Sequence, residues 1–460
     1  MSFRELASLA LRSRAHVLMG TLALLAALFA AIHRQTTPPW SRYQDDPQVR
    51  LITPTLTGEP ELCLTCHEGI EQISDSHPTD VFGCVICHGG DRLSLDEEAA
   101  HETLIGSEAA PGNPSDLSVV EVSCGGADCH SGDVANARDH IERITRNVHT
   151  TYAGAINRVL DDRELRPAGT YYGTVSVRDP DVQHPNAVAE LLQFLPESFE
   201  TPDVTRFASE CLTCHIASQQ ATDTSEEGYY GGTGCASCHM IYTRSGLYQG
   251  DDPTIRRDEP GHVATHEMTV AIPYTTCNRC HNRGSYDVAT LTFTPRDDLT
   301  GVDALPAAER RIREMYAPGS THFALCQYEL DCIDCHTASE VMGDGDIFTS
   351  QADAQRIECR SCHGTIDEGP PTITLEDPDD IAFRRARLNP FYDVFLGNTV
   401  LLGPDGEAMG HVRVENDLFS LVSKTSGAAY LIPQVRGSEC EQQSDQQAAS
   451  YCQECHTYVP

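Results

Sequence analysis

Apolar residues in this chain fall into short runs cut by Gly, Pro, Asp and Ser, and only one run is long. Val17 to Ile32 is 16 residues without a charge, preceded by Arg4, Arg12 and Arg14 and followed by Arg34 and the Pro38-Pro39 break. Arginines ahead of an apolar stretch are the pattern of an export signal that carries the downstream chain across the inner membrane. The run is shorter than the ~20 residues a spanning helix prefers, although Ala15 and His16 extend it. No small-x-small cleavage site stands out before His33, and no cysteine before Cys63 is available for lipidation. The expectation is an uncleaved N-terminal membrane helix, with a cleaved signal as the alternative.

Beyond residue 35 the pattern predicts short elements. Helix formers run from Asp133 to about Val159, a segment that bears His140 and His149. Nine helical steps turn about 900° and rise ~13.5 Å, so these imidazoles would face opposite sides. Residues 160–205 are interrupted by Pro167, Pro180, Pro185, Pro196 and Pro202, with a short apolar helix from Ala187 to Phe194 after His184. In 261–266, His262 and His266 stand four apart, on one face if helical. A helix is marked from Leu305 to Tyr316, with Asp303 as N-cap, Pro306 near the first turn and Pro318 beyond it. Thr399–Leu402, the turn Gly403-Pro404-Asp405-Gly406 and His411–Val414 read as a β-hairpin, which Leu418–Val422 and Ala428–Ile432 extend to a small sheet.

Composition changes this picture in two ways. The net charge of −36 excludes nucleic acid as a partner, because phosphate recognition needs basic patches. It serves solubility or salt adaptation, with steering towards basic proteins as a second reading; Lys424 is the one lysine among 32 basic residues. The 20 cysteines would suggest a disulfide scaffold, but their spacing says otherwise.

Cys-x-x-Cys-His occurs eight times, and a ninth copy is stretched by two residues. In chain order the motifs are 1 (Cys63, Cys66, His67), 2 (Cys84, Cys87, His88), 3 (Cys124, Cys129, His130, the stretched copy), 4 (Cys211, Cys214, His215) and 5 (Cys235, Cys238, His239). After them come motifs 6 (Cys277, Cys280, His281), 7 (Cys332, Cys335, His336), 8 (Cys359, Cys362, His363) and 9 (Cys452, Cys455, His456). This is the attachment signature of haem c: two thiols reach two vinyl groups on a porphyrin edge, and the next residue sets an imidazole under the iron. Zinc knuckles also use Cys-x-x-Cys but do not require the histidine that ends every copy here. In motif 3 the four residues 125–128 can bulge outward and keep the same ends. The motif count implies nine covalent haems. With so little protein per haem, the porphyrins are expected to be the core of a mainly α fold with much irregular loop.

Cys326 and Cys440 remain, read either as a disulfide or as two separate buried thiols. Of 20 histidines, nine are motif residues and two, His16 and His33, flank the apolar run. The other nine are candidate second axial ligands: His77, His101, His140, His149, His184, His262, His266, His322 and His411. His411 carries a rival reading, as part of the solvent face of the hairpin. Met240, Met268, Met315, Met342 and Met409 are weaker rivals. A haem with two protein ligands passes electrons, whereas one with an open position can do chemistry.

Cys235–His239 with Gly246-Leu247-Tyr248-Gln249-Gly250, His262 with His266, Cys277–Gly284 and Asp331–His336 through Gly345 resemble bacterial multihaem c-type cytochromes over residues 60–365. The resemblance implies an exported respiratory electron carrier with stacked haems. The wider group includes octahaem tetrathionate reductases, hydroxylamine oxidoreductases and pentahaem nitrite reductases. No Cys-x-x-Cys-Lys occurs here, which tells against a lysine-ligated active site. Five segments are expected: an anchor or signal (1–34), a three-haem module (35–160), a linker (161–205), a five-haem module (206–365), and a C-terminal region with the β insertion and ninth haem (366–460). The leading reading is a periplasmic electron-transfer protein without a catalytic residue, served by redox proteins that include a quinol-oxidising membrane complex. The alternatives are a reductase of a small nitrogen or sulfur compound with one open haem, and a filament subunit.

Overall fold

The computed structural model describes residues 16–29, 38–107, 111–134, 137–164, 214–217, 230–287, 290–316, 325–348, 351–440, 443, 452 and 456. The N-terminal helix spans 16–29 with every side chain exposed. Among the described residues no helix is long and apolar enough to cross a membrane.

Most of the described chain before residue 370 is irregular, with helices of one or two turns. The longest of those beyond residue 38, Ala153–Asp162, buries Ala153, Ile156, Val159 and Leu160. The single helix expected from Asp133 to Val159 is instead two, His140–Arg146 and Ala153–Asp162. Asn147 breaks it: its backbone is extended (φ −69°, ψ 155°), and its side-chain amide donates to the Glu340 carbonyl at 3.1 Å. This partner outside the segment outweighs the modest helix preference of the residues around it. The expected helix at 305–316 runs Ala307–Met315 with Pro306 in the cap position, because Asp303 is engaged by Arg244 at 2.6 Å. Residues 261–266 form bends, so His262 and His266 do not share a helical face. A hairpin not expected from the sequence pairs β1 (Gly284–Asp287) with β2 (Thr292–Pro295).

The C-terminal sheet has five antiparallel strands in chain order: β3 (Thr372–Thr374), β4 (Thr399–Leu402), β5 (Ala408–Glu415), β6 (Leu418–Val422) and β7 (Ala429–Ile432). The predicted hairpin and its two extending runs are there, and β3 is an addition. One core packs Leu401, Met409, Val412, Leu421 and Ile432 against Leu330 and Ile357, with Cys326, Cys335 and Cys362 at its margin. The second packs Val400 and Ala408 against Leu375 and Ala382 of the helix Ile381–Leu388, which Asp380 caps by accepting from the Ala382 amide at 2.8 Å. Each fully buried aliphatic side chain contributes roughly 1.5–3 kcal/mol, so the sheet is well anchored to the chain around motifs 7 and 8. Cys326 lies half-buried in that margin.

Candidate functional site

Every Cys-x-x-Cys-His copy whose ends are described closes the same way. The amide of the motif histidine donates to the carbonyl of the first cysteine: 3.1 Å for His67–Cys63, 3.0 Å for His88–Cys84, 2.9 Å for His281–Cys277 and 2.8 Å for His456–Cys452. Motif 3 makes the identical closure, His130 to Cys124 at 3.1 Å, despite its two extra residues. Ala127 and Asp128 take up the excess in the left-handed region (φ 53° and 57°), at about 1–2 kcal/mol per residue. Motif 7 is further fixed by a capping box between Asp331 and Asp334.

The histidine side chains then meet across the sequence. His67 and His101 stand 6.1 Å apart between ring centroids, His88 and His266 5.9 Å, and His149 and His281 6.0 Å. A transition-metal–imidazole bond of about 2 Å on either side of an iron would hold two ring centroids roughly 6 Å apart. These pairs therefore have the spacing of two axial ligands. At motif 3, His77 lies 5.9 Å from His130 and nearly parallel to it, whereas His140 stands edge-on at 5.2 Å, closer than a shared metal would hold it.

Second partners orient the rings. Nδ1 of His67 lies 2.8 Å from the Asp252 carboxylate, and Nδ1 of His336 lies 3.0 Å from Glu340. His239 and His363 reach the carbonyls of Thr269 and Pro433 at 2.8 and 2.7 Å. Among the candidate second ligands, His149 meets the Asn147 side-chain oxygen at 2.7 Å, His266 the Glu71 carbonyl at 3.0 Å and His77 two serine hydroxyls, each at 3.0 Å. An imidazole held at Nδ1 keeps its Nε2 lone pair for a metal. Burial pushes His88, His130, His149 and His215 down to about 4, so these rings are neutral at pH 7 and able to ligate. Burial likewise lifts Cys87 and Cys362 to about 11 and Cys235 and Cys359 to about 12, leaving them as thiols.

One brace serves two motifs. The Glu71 carboxylate accepts from the Tyr248 hydroxyl at 2.9 Å and from the amides of Asp251 and His266 at 2.8 and 3.0 Å. Tyr248 in turn accepts from the amide of Asp252, the residue that orients His67. At motif 2, Gly83 (φ +68°) faces Glu61, where a Cβ would lie 2.7 Å from the carboxylate that accepts from the Cys84 amide. No sequence pattern marks Glu71, Asp252 or Glu61 as parts of the site, because their partners lie elsewhere in the chain.

His411 is not brought to a motif histidine. It is 2 % exposed on β5, and its Nε2 donates to the Asp334 carbonyl at 2.8 Å. The nitrogen that would ligate iron is committed, and the residue lies in the core rather than on the solvent face of the hairpin. Lys424 is equally occupied: its ammonium donates to the Ile333 carbonyl, and its amide to Asp334 at 2.6 Å. Both residues clamp the motif 7 loop to the sheet. His215 faces the ring of Tyr152 at 5.3 Å, with Tyr152 fully buried. His262 is half-buried, its amide bonded to the Gly246 carbonyl at 2.8 Å. Cys211, Cys455, His184 and His322 lie outside the described residues.

Residues 276–364, which contain motifs 6, 7 and 8, match the family model of cytochrome c554 and c-prime. This is a multihaem c-type cytochrome domain. Covalent haem c and electron transport go with that family, and a c-type cytochrome domain points to the periplasm. Searches of curated proteins and of solved structures give no match.

Proposed function

We propose that the chain is a nine-haem c-type cytochrome, an electron carrier of the bacterial periplasm with no catalytic haem at the paired sites. The observation that carries this reading is the set of histidine pairs 5.9–6.1 Å apart, each joining a motif histidine to a second imidazole. Haem c, when bound, supplies an Fe(II)/Fe(III) couple. The chain would tie the group down through two thiols per motif and would offer it two imidazoles at motifs 1, 2, 3 and 6. It also holds each imidazole in one orientation through its Nδ1 partner, so that little reorganises on oxidation. The N-terminal apolar segment directs export and anchors the protein at the inner membrane, next to redox protein partners such as a quinol-oxidising complex.

The test is electron paramagnetic resonance of the oxidised protein. His149→Ala and His266→Ala should each add one high-spin ferric signal absent from wild type. If neither does, these rings are not axial ligands.

A specific observation favours a second reading at motif 4, where, among the described residues, the ring facing His215 is that of Tyr152. There an open position would suit a reductase of a small nitrogen or sulfur compound such as nitrite, hydroxylamine or tetrathionate. A high-spin signal already present in wild type, and abolished by cyanide, would favour this reading over a pure carrier.

A further inference from the structure

Sulfur-bearing ends of different motifs lie side by side, and tracing them gives an order unlike that of the chain. Cys63 and Cys84 place their sulfurs within 4.8 Å of each other and of the Glu61 carboxylate, which joins motifs 1 and 2. Phe82, just ahead of motif 2, stands 5.0 Å from His77, whose ring lies 5.9 Å from that of His130 of motif 3. Cys124 of motif 3 and Cys235 of motif 5 pack on one cluster, Leu117, Val120 and Ile141. Motif 5 meets motif 6 where the helices Ala236–His239 and Tyr274–Cys277 touch, and Arg279 donates to the Ser237 carbonyl. The same helix of motif 6 touches Cys332–Cys335 of motif 7, with Cys277 hydrogen-bonded to Cys332. Cys335 and Cys362 then share the margin of the sheet core, and Cys359 is hydrogen-bonded to Cys452 of motif 9.

Motif 4 is missing from this run. Its sulfur-bearing end meets motif 6 instead, where the Cys280 thiol donates to the Cys214 carbonyl at 3.6 Å. The same neighbour is reached a second way: the Ile216 amide donates to the His149 carbonyl at 2.9 Å, and the His149 ring faces His281. Ile216 and Ala217 also reach the cluster shared by motifs 3 and 5, and the Gly234 amide donates to the Ile216 carbonyl at 2.8 Å, but these residues follow His215 in the chain and the contacts do not involve Cys214.

A thioether sulfur sits one carbon from the porphyrin edge, so the sulfur contacts of motifs 1 with 2, 6 with 7 and 8 with 9 would bring macrocycle edges together, and the shared clusters, ring contacts and touching helices join the rest. We propose that the nine motifs form a branched chain, 1-2-3-5-6-7-8-9, with motif 4 joined at motif 6. Motif 6 is then a junction, and the protein has three ends, at motifs 1, 4 and 9, for one-electron protein partners in place of the two ends of a wire. The inference rests on the nine-haem reading, which intact mass of the holoprotein tests separately. An iron anomalous map or a cryo-EM map of the holoprotein tests the order. The expected result is that the motif 4 iron has the motif 6 iron as its nearest neighbour, and that the motif 3 iron is nearer to motif 5 than to motif 4. A motif 4 iron lying between those of motifs 3 and 5 would overturn the branch. A mass corresponding to fewer haems, with the order kept, would overturn the nine-haem count and leave the branch standing.

Discussion

The sheet at 372–432 and the motif region before it solve the problem of burial with different materials. In the sheet, Val400, Leu401 and Val412 are fully buried, strand ladders satisfy the backbone, and two apolar clusters fill both faces. In the motif region the described cysteines are only half-buried, and several of the most buried residues are polar, such as Thr65, Thr150, Thr151 and Asp252. Its longest described helix has 10 residues, below the ~12–15 at which an isolated helix becomes even marginally stable. A region of such short helices needs an apolar mass from elsewhere, and the arrangement of its thiols and imidazoles is the one that haem would complete. One part of the molecule carries its core in its sequence; the other is built to receive one.

The sharpest way to break that comparison is to withhold haem. A chain lacking residues 15–32, and so made without export, should lose most of its helical signal, with fast amide exchange over 63–160. Amides of β4 and β5 should stay protected in the same hydrogen-exchange experiment. Uniform protection would show that the motif region folds without its cofactor.

Next in size, Leu401→Ala should cost about 2–5 kcal/mol through the cavity it leaves. Denaturant unfolding of the holoprotein should show this loss with the covalent haem count unchanged. His411→Ala sharpens the boundary between the two regions. It should cost about 1–3 kcal/mol, because the buried Asp334 carbonyl loses its donor, yet add no high-spin signal. A new high-spin haem in that variant would return His411 to the ligand set. Smallest is Asp380→Ala, expected to lower stability by ~1 kcal/mol through the lost N-cap of the helix Ile381–Leu388. The spectrum of the haems should be unaffected.

Local pattern accounts for the features that were legible beforehand. A Cys-x-x-Cys-His unit closes on itself, first cysteine carbonyl to histidine amide, so nine copies could be read one at a time, the stretched one included. The strands β4 to β7 were equally readable, since a turn at 403–406 and short apolar runs between turn residues specify pairing between neighbours. The three residues of β3 are too few to carry a pattern, and the helix through His140 and His149 was misjudged because Asn147 bonds to Glu340 from outside the segment. The candidate second ligands were readable only as an unpaired set. Nothing near His266 points to His88, and nothing near His101 points to His67, because these partners meet only when distant loops are braced by Glu71, Tyr248 and Asp252. His411 fails as a ligand for the same reason: its Nε2 is claimed by a carbonyl that the chain brings to it from motif 7. The sequence by itself therefore determined the attachment points and the C-terminal hairpin, which depend on neighbours along the chain. The tertiary structure decided which imidazoles face each other and which motifs adjoin, because both depend on contacts between segments whose separation carries no periodic signal.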